Sequence, residues 1–274
     1  MRHSSKRIEL SDDYMFAEIM RQDKETCRRV LEAILGFEVE ILEYLENEKF
    51  FKSDAASKAV RLDVIAKNTG AIYDIEMQKM NIGNIPRRAR YYQSQIDVSE
   101  LDRGIEYDGL KDSYVIFICG FDLFGMGEYI YRFENFDIEK KLPLGDGAKV
   151  IVINTKGTKG DISDELRELI TYIDKPNEVG KSLTSDLIKE LEARVVNQNQ
   201  DKDWRKKRMR AEADKIDYIN KGKREGRKEG MAIVEARIVS TMYKNGFRPQ
   251  QIASATNIDI KEIQSILKKN AVMV

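Results

Sequence analysis

The chain has 274 residues and no net charge, with 47 basic and 47 acidic side chains. Apolar residues make up 42% of the sequence, which is enough for a sizeable core. No run approaches the roughly 18–20 apolar residues that a membrane span needs. The first residues also lack the apolar stretch of a signal peptide. We therefore expect a cytoplasmic protein that does not enter a membrane.

The few histidine and cysteine side chains limit the chemistry that is available. His3 is the single histidine, so serine–histidine and cysteine–histidine catalysis and imidazole-based metal sites are excluded. Cys27 and Cys119 are too few for a disulfide framework or a zinc cage, and we expect both to be buried thiols. An enzyme of this composition depends on carboxylates, amides, Lys, Arg, Tyr, or an ion held by oxygen ligands.

Two helices are predicted at the start of the chain. Ser11 is placed to cap the first helix, whose apolar stripe begins at Tyr14 and Phe16. A break at Arg21–Asp23 separates it from the second helix, which we expect to end at Gly36, in the position of a C-cap glycine.

Alternating apolar residues then predict a β-hairpin from Val60 to Gln78 that turns at Asn68–Gly70. Together with the elements that follow, it predicts an α/β fold for residues 1–200, with a mixed central sheet flanked by helices. The other predicted strands are Val39–Tyr44, Tyr114–Cys119, Tyr129–Phe133 and Lys149–Ile153, and the other predicted helices are Pro86–Leu101, Asp164–Ile173 (capped by Ser163) and Leu183–Val196.

Residues 201–231 differ in composition from the preceding part of the chain. Asp201–Gly230 contains 12 Lys and Arg against 7 Asp and Glu, and Gly222, Gly226 and Gly230 recur every four residues. Because each glycine costs a helix about 1 kcal/mol relative to alanine, we favour a flexible basic linker. Glycines four residues apart also line one face of a helix, so close helix pairing in a dimer is the alternative.

Residues 232–274 are predicted to form a small helix-turn-helix-like segment. Asn245–Phe247 ends one helix, Pro249 begins the next, and Asn257 marks a second turn. The segment carries few basic residues for reading a DNA groove. Ile263 and Ile266 suit a dimerisation module, so we expect a homodimer formed through these helices.

The hairpin carries the residues that are best suited to chemistry. If the turn is centred between Thr69 and Gly70, Asp63 lies opposite Glu76 with Cβ atoms about 4.5–5.5 Å apart on one face. Two carboxylates at that distance repel unless a proton or a cation lies between them, and Mg²⁺ is commonly held by such a pair. Gln78 projects from the same face as Glu76 and is placed to orient a water molecule.

A purely structural interpretation of the hairpin is also open. Acidic and amide residues at alternating positions are typical of the solvated face of a half-buried sheet, and one β-bulge would separate Asp63 from Glu76. However, Leu62, Val64 and Ile75 make both strands apolar enough to be central, where unpaired acids are costly.

The hairpin and the helix after it contain three characteristic segments, Arg61–Val64, Asp74–Gln78 and Arg88–Tyr92. These segments resemble the Rpn family of recombination-promoting nucleases, which are also labelled putative transposases. The family belongs to the PD-(D/E)XK nuclease superfamily. The resemblance implies a four-stranded mixed sheet flanked by helices and Mg²⁺-dependent hydrolysis of DNA, with Mn²⁺ or Ca²⁺ as alternative ions. Weaker likeness extends to Asp12–Phe16, Leu31–Gly36, the glycine repeat and the C-terminal helices.

The same resemblance assigns roles to residues. Asp63 and Glu76 would hold the metal, and Gln78 would stand where the wider superfamily has lysine. Glutamine aligns a water molecule but supplies no positive charge to a transition state. A further metal-binding acid is expected from the first helix, with Asp13 favoured and Glu18 as the competitor.

Arg88, Arg90 and Tyr91 are predicted to bind DNA, because arginine contacts phosphate and tyrosine stacks on bases or donates to phosphate. The alternative is that Tyr91 and Tyr92 pack this helix on the sheet while the arginines are solvated. The family resemblance favours functional roles for Arg88 and Tyr91.

These observations favour a metal-dependent DNA endonuclease with little sequence specificity, acting in recombination, mobile-element movement or defence. The first alternative is a catalytically weak or inactive DNA-binding or regulatory protein that keeps the nuclease fold. The second is an interaction protein assembled by its C-terminal helices. Metal binding that depends on Asp63 distinguishes the endonuclease from the interaction protein.

Overall fold

The computed structural model describes residues 7–44, 63–100, 106–179 and 185–269. The chain divides into two compact units, Met1–Lys202 and Asp203–Val274. Parts of several predictions lie outside the described residues, namely His3, Val60–Leu62, Leu101 and Leu183–Thr184.

The first two helices are α1 (Asp13–Gln22) and α2 (Lys24–Leu35). Asp12, rather than the predicted Ser11, caps α1, because Asp12 is the extended residue directly before the helix and its side chain accepts from an amide of the first turn. At the end of α2, Gly36 has φ of 81°, and this left-handed C-cap confirms the prediction.

Among the described residues, six strands form one mixed sheet in the order β1-β2-β3-β4-β6-β5. The hairpin pairs antiparallel with Val64 opposite Ile75, which is the predicted register. The sheet is larger than the four strands that the resemblance implied, since a short β1 extends one edge and β5 the other. The strands are β1 (Glu43–Tyr44), β2 (Val64–Lys67), β3 (Ala71–Gln78), β4 (Asp112–Cys119), β5 (Ile130–Glu134) and β6 (Ala148–Asn154).

The centre of the sheet is parallel and buried. β3, β4 and β6 run parallel to one another, so their carboxyl ends meet at one edge of the sheet. Every β3 residue from Ala71 to Met77 is buried, as expected for a central strand. Ligand sites of open parallel sheets form at this edge.

Helices flank the sheet, as predicted. α3 (Ile85–Glu100) packs through Ile85, Ala89 and Tyr92 on one face, against Val115 and Phe117 among others. α1 contacts β2 and β3. The remaining helices of this unit are a short 3₁₀ helix (Tyr107–Gly109), α4 (Asp164–Asp174, capped by Ser163 as predicted), α5 (Pro176–Val179) and α6 (Asp186–Gln200).

The glycine-rich segment differs from the predicted flexible linker. It lies within α7 (Lys202–Lys244), a helix of 43 residues that includes Gly222, Gly226 and Gly230. The residues between these glycines are Lys, Arg and Glu, which are strong helix formers, and Lys221 and Glu225 stand at helical i,i+4 spacing. Their helix propensity offsets part of the cost of the glycines.

The C-terminal helices follow the predicted breaks. α8 (Pro249–Thr256) and α9 (Ile260–Lys269) complete the second unit, and Asn257 has φ of 57° at the second turn. Ile263 is fully buried within this unit, so its side chain is not available to a second copy. The apolar cluster of the unit comprises Val239, Ile252, Ile263 and Leu267, with Ile266 partly buried against them.

Candidate active site

Asp63 and Glu76 lie side by side where β2 begins and β3 nears its carboxyl end. The Asp63 amide donates to Glu76 Oε1 at 3.0 Å, and the Met77 amide donates to Asp63 Oδ2 at 3.2 Å. The uninterrupted pairing from Val64 to Lys67 produces this arrangement, because no bulge shifts the hairpin faces. The structure thus brings together the two carboxylates that the turn position predicted.

Arg88, on the first turns of α3, joins three side chains of the site. Its Nη2 donates to Glu76 Oε2 at 2.6 Å, its Nη1 donates to Gln78 Oε1 at 2.5 Å, and its Nε donates to the Tyr92 hydroxyl at 3.0 Å. The guanidinium also lies 5.2 Å from the centre of the Phe117 ring. The site therefore contains a resident positive charge with fixed orientation.

Gln78 lies on the same face of β3 as Glu76, as the alternation of the strand predicted. Its carbonyl oxygen accepts from Arg88, and its Nε2 donates to the Met80 carbonyl at 2.8 Å. These two hydrogen bonds define the orientation of the amide, with its oxygen on the side of Arg88 and Glu76.

Asp74 is a third carboxylate on this face, two residues before Glu76. Its side chain is fully buried, and neither oxygen has a hydrogen-bond partner. It stands opposite Ile65 and beside Val115, which are apolar. An ionised carboxylate is very costly in such surroundings, so Asp74 needs a proton or a cation.

The electrostatics of the three acids reflect burial and mutual repulsion. Burial, followed by the charge of Asp13, raises the pKa of Asp63 to about 6. Burial and the Asp63 charge raise the pKa of Glu76 to about 8, although Arg88 opposes this change. Burial and the charges of Glu76 and Asp63 raise the pKa of Asp74 well above its usual range. The resident positive charge therefore only partly compensates the acids.

α1 also contributes to the site. The charge of Asp13 raises the pKa of Asp63, and the Arg21 guanidinium donates to the Asp63 carbonyl oxygen. Glu18, the competing acid, instead accepts from Gln22 Nε2 at 3.0 Å. Of the two acids, Asp13 is the one that acts on Asp63.

The predicted DNA-binding residues have different environments on α3. Arg90 is exposed, whereas Tyr91 is partly buried and packs against the core cluster under this helix. Tyr92 is buried, and its ring stacks on Phe117 with centroids 6.1 Å apart. Tyr92 therefore packs this helix on the sheet, as the alternative interpretation predicted. Arg88, by contrast, contacts Glu76 and is not one of the solvated arginines that this interpretation predicted.

The sequence that forms this site is similar to a known protein family. Residues 10–222 match the family model described as PD-(D/E)XK nuclease family transposase. The chain belongs to this family. No curated protein and no solved structure matches it. The matched range includes both carboxylates of the hairpin as well as Gln78 and Arg88, so the acidic site lies within the part of the chain that matches the family.

A divalent ion suits the donor chemistry of the nuclease family site. Asp63, Glu76 and Gln78 offer the oxygen ligands that Mg²⁺ and Mn²⁺ prefer, and the two carboxylates are only partly compensated. The unpartnered oxygens of Asp74 add to the excess of negative charge. Within residues 7–44, 63–100, 106–179 and 185–269, however, no group of three or more histidine, cysteine, aspartate or glutamate side chains is arranged so that it could hold a metal ion.

Two features of the site are missing from the sequence predictions. Asp74 belongs to the family-like segment but was not assigned a role, although its position two residues before Glu76 placed it on the same strand face. The contact of Arg88 with Glu76 depends on how α3 packs on the sheet, and sequence spacing carries no signal for that packing.

No helix in the described part of the chain is long and apolar enough to cross a membrane.

Proposed function

We propose that the protein is a metal-dependent DNA endonuclease that hydrolyses phosphodiester bonds. The observation that carries the proposal is the pair formed by buried Glu76 and partly buried Asp63, side by side at the carboxyl edge of the parallel strands. The raised pKa values of both groups mark a site whose negative charge Arg88 compensates only in part. Membership of the nuclease family supports this choice of reaction.

Each residue has a role in this proposal. Asp63 and Glu76 would hold the ion, Gln78 would add an amide oxygen or orient a water molecule, and Asp13 would add negative charge from α1. When bound, a Mg²⁺ ion polarises a phosphate oxygen and stabilises the charge that develops in the transition state. Mn²⁺ and Ca²⁺ are the alternative ions.

DNA would be held through its phosphates by α3. Arg90 is exposed and supplies a positive charge, and the neighbouring Tyr91 is only partly buried. Phosphate contacts carry no sequence information, so this surface supports binding with little sequence specificity. The family description as a transposase supports a role in recombination or mobile-element movement.

The proposal also includes the assembly and location of the protein. A homodimer would form through the C-terminal helices, where Ile238 remains 42% exposed while Ile263 is committed to the core of the unit. The two cysteines are free and buried, and burial raises the pKa of both thiols to about 12. Unpaired thiols fit a reducing compartment such as the cytoplasm.

A non-catalytic DNA-binding protein is the second candidate. The observation in its favour is that Arg88 already binds one oxygen of Glu76 and the oxygen of Gln78. If that arrangement persists with DNA and Mg²⁺ present, the site has a binding function without hydrolysis.

Nicking of supercoiled plasmid tests the proposal. The wild-type protein, Glu76→Gln and Glu100→Gln are purified identically and incubated with plasmid in Mg²⁺, Mn²⁺, Ca²⁺ or EDTA. Glu100 is a suitable control, because it is a partly buried glutamate that, like Glu76, faces a basic side chain, at 3.8 Å from Lys67. We expect nicking by wild type and Glu100→Gln that depends on the ion and is lost in Glu76→Gln. Equal nicking by all three proteins, or none by any, would contradict the proposal.

A further inference from the structure

Arg88 binds the oxygen atoms that the proposed metal site would use. Glu76 Oε1 accepts from the Asp63 amide, and Glu76 Oε2 and Gln78 Oε1 both accept from the guanidinium. Each of these three oxygens already has a protein donor. A divalent ion at Glu76 and Gln78 must therefore displace Arg88 or bind beside it.

Electrostatics distinguishes these two arrangements. The Glu76 side chain is 4% exposed and that of Arg88 is 22% exposed, so water screens their interaction only partly. A guanidinium that remained on the same oxygens as a divalent ion would repel the ion at close range. Displacement of Arg88 avoids this repulsion, because Glu76 then pairs with the divalent ion instead of with the guanidinium.

Arg88 has other partners when it leaves the two oxygens. Its guanidinium lies 5.3 Å from the centre of the Tyr92 ring and 5.2 Å from that of Phe117, and these two rings stack on each other where α3 packs on the sheet. These rings continue to hold the side chain through cation–π contact. Its Nη atoms then become available to an oxyanion.

We propose that Arg88 is a resident cation that competes with a divalent ion for Glu76 and Gln78, so that ion binding releases its guanidinium towards the DNA phosphate. The inference rests on the proposed function and extends it. It assigns to Arg88 the positive charge that glutamine at position 78 does not provide. It also couples the two ligands, because a released guanidinium is a bidentate phosphate donor.

Calorimetric titration of the full-length protein with Mn²⁺, without DNA, tests the competition. The variants are Arg88→Gln, which removes the charge, and Arg88→Lys, which keeps it. Arg87→Gln is the matched control, since Arg87 is an exposed arginine on the same turn of α3. We expect Arg88→Gln to bind Mn²⁺ more tightly than wild type, by on the order of three- to tenfold, and Arg87→Gln to stay close to wild type. Arg88→Lys should bind Mn²⁺ less tightly than Arg88→Gln, because it keeps the competing charge. A merely structural role for Arg88 predicts weaker binding by Arg88→Gln.

The outcomes separate this inference from the proposed function. Mn²⁺ binding by wild type that is unchanged or weakened in Arg88→Gln overturns the competition and leaves the metal site intact. No Mn²⁺ binding by any of the proteins overturns the proposed function together with this inference.

If Arg88→Gln does not fold, the Arg88 Nε–H resonance of wild type, assigned with Arg88→Lys, is followed during Mg²⁺ titration. A shift of this resonance supports displacement, and a static resonance under saturating Mg²⁺ overturns it.

Discussion

The backbone amide of Asp63 donates to the carboxylate of Glu76, and the amide of Met77, the residue after Glu76, donates to the carboxylate of Asp63. These donors orient both carboxylates without neutralising them. The hairpin itself therefore holds the acidic pair in place, and Arg88 compensates only part of its charge.

This charge predicts an unusual pH dependence of stability for the metal-free protein. The pKa of Asp63 is raised from 3.8 to about 6 and that of Glu76 from 4.5 to about 8, so the folded state binds more protons than the unfolded state. The stabilising contribution is complete below about pH 4 and is lost as the pH rises through 6 to 8. We expect the free energy of unfolding to fall over this window, by at most about 1.4 kcal/mol per pH unit for each group.

Urea unfolding in EDTA at pH 5 to 8 measures this effect. Carboxylates with lowered pKa, such as Glu190 and Glu192, add stability as the pH rises through their unfolded-state pKa of 4.5, so they oppose the slope mainly at the acidic end of this window. Glu76→Gln should flatten the pH profile. A wild-type protein that becomes more stable from pH 5 to pH 8 would show that the acids are already compensated.

Asp74 provides a separate test of the buried charge. Because its carboxyl group lacks a hydrogen-bond partner and lies beside Ile65 and Val115, we expect Asp74→Val to stabilise the protein by about 1–3 kcal/mol. Asp74→Asn replaces one neutral group with another and should change stability by less. Thermal unfolding at pH 7 measures both variants. Marked destabilisation by Asp74→Val would show that the carboxyl group has a stabilising partner.

The glycines of α7 predict a gain of helix stability on substitution. Gly222, Gly226 and Gly230 are exposed, and a Cβ atom added at any of them meets nothing within 4 Å. Alanine at each position should stabilise the helix by about 0.5–1 kcal/mol. Far-UV circular dichroism of the triple alanine variant should show slower loss of helical signal on heating. An unchanged or smaller signal would indicate that this segment is not helical in solution.

Arg90 gives a test of the DNA-binding surface. We expect Arg90→Gln to weaken DNA binding about equally for different sequences and to reduce the slope of log affinity against log salt by about 1. Fluorescence anisotropy with two unrelated labelled duplexes, in Ca²⁺, measures both quantities. Lys189→Gln, an exposed charge on α6, is the control. A loss confined to one sequence, or no loss at all, would argue against a phosphate contact.

The sequence predicted the local features of this protein well. The turn at Asn68–Gly70 and the alternation of apolar residues determine the hairpin register, and the register alone places Asp63 beside Glu76. Gly36 and Ser163 also cap their helices as predicted. Each of these features depends on residues that are close in the chain, where turn and cap chemistry is specific.

Features that depend on tertiary packing were not predictable in the same way. Arg88 lies 12 residues beyond Glu76, and its inward orientation follows from the packing of Tyr92 on Phe117. Glycine propensity predicted a flexible linker, but the helix-forming residues around Gly226 outweigh it in the structure. The N-cap of α1 is Asp12 rather than the predicted Ser11, because adjacent polar side chains compete for the same role.

Nicking of supercoiled plasmid by the wild-type protein over a series of free Mg²⁺ concentrations, starting from EDTA, tests the central claim most directly. Asp63→Asn is measured beside it, with Asp97→Asn as a control for a partly buried aspartate on α3. The account predicts no nicking in EDTA, saturable activation by Mg²⁺ in wild type and Asp97→Asn, and loss of activity by at least about a hundredfold in Asp63→Asn. Nicking by wild type that is independent of Mg²⁺, or retained in Asp63→Asn, would contradict it.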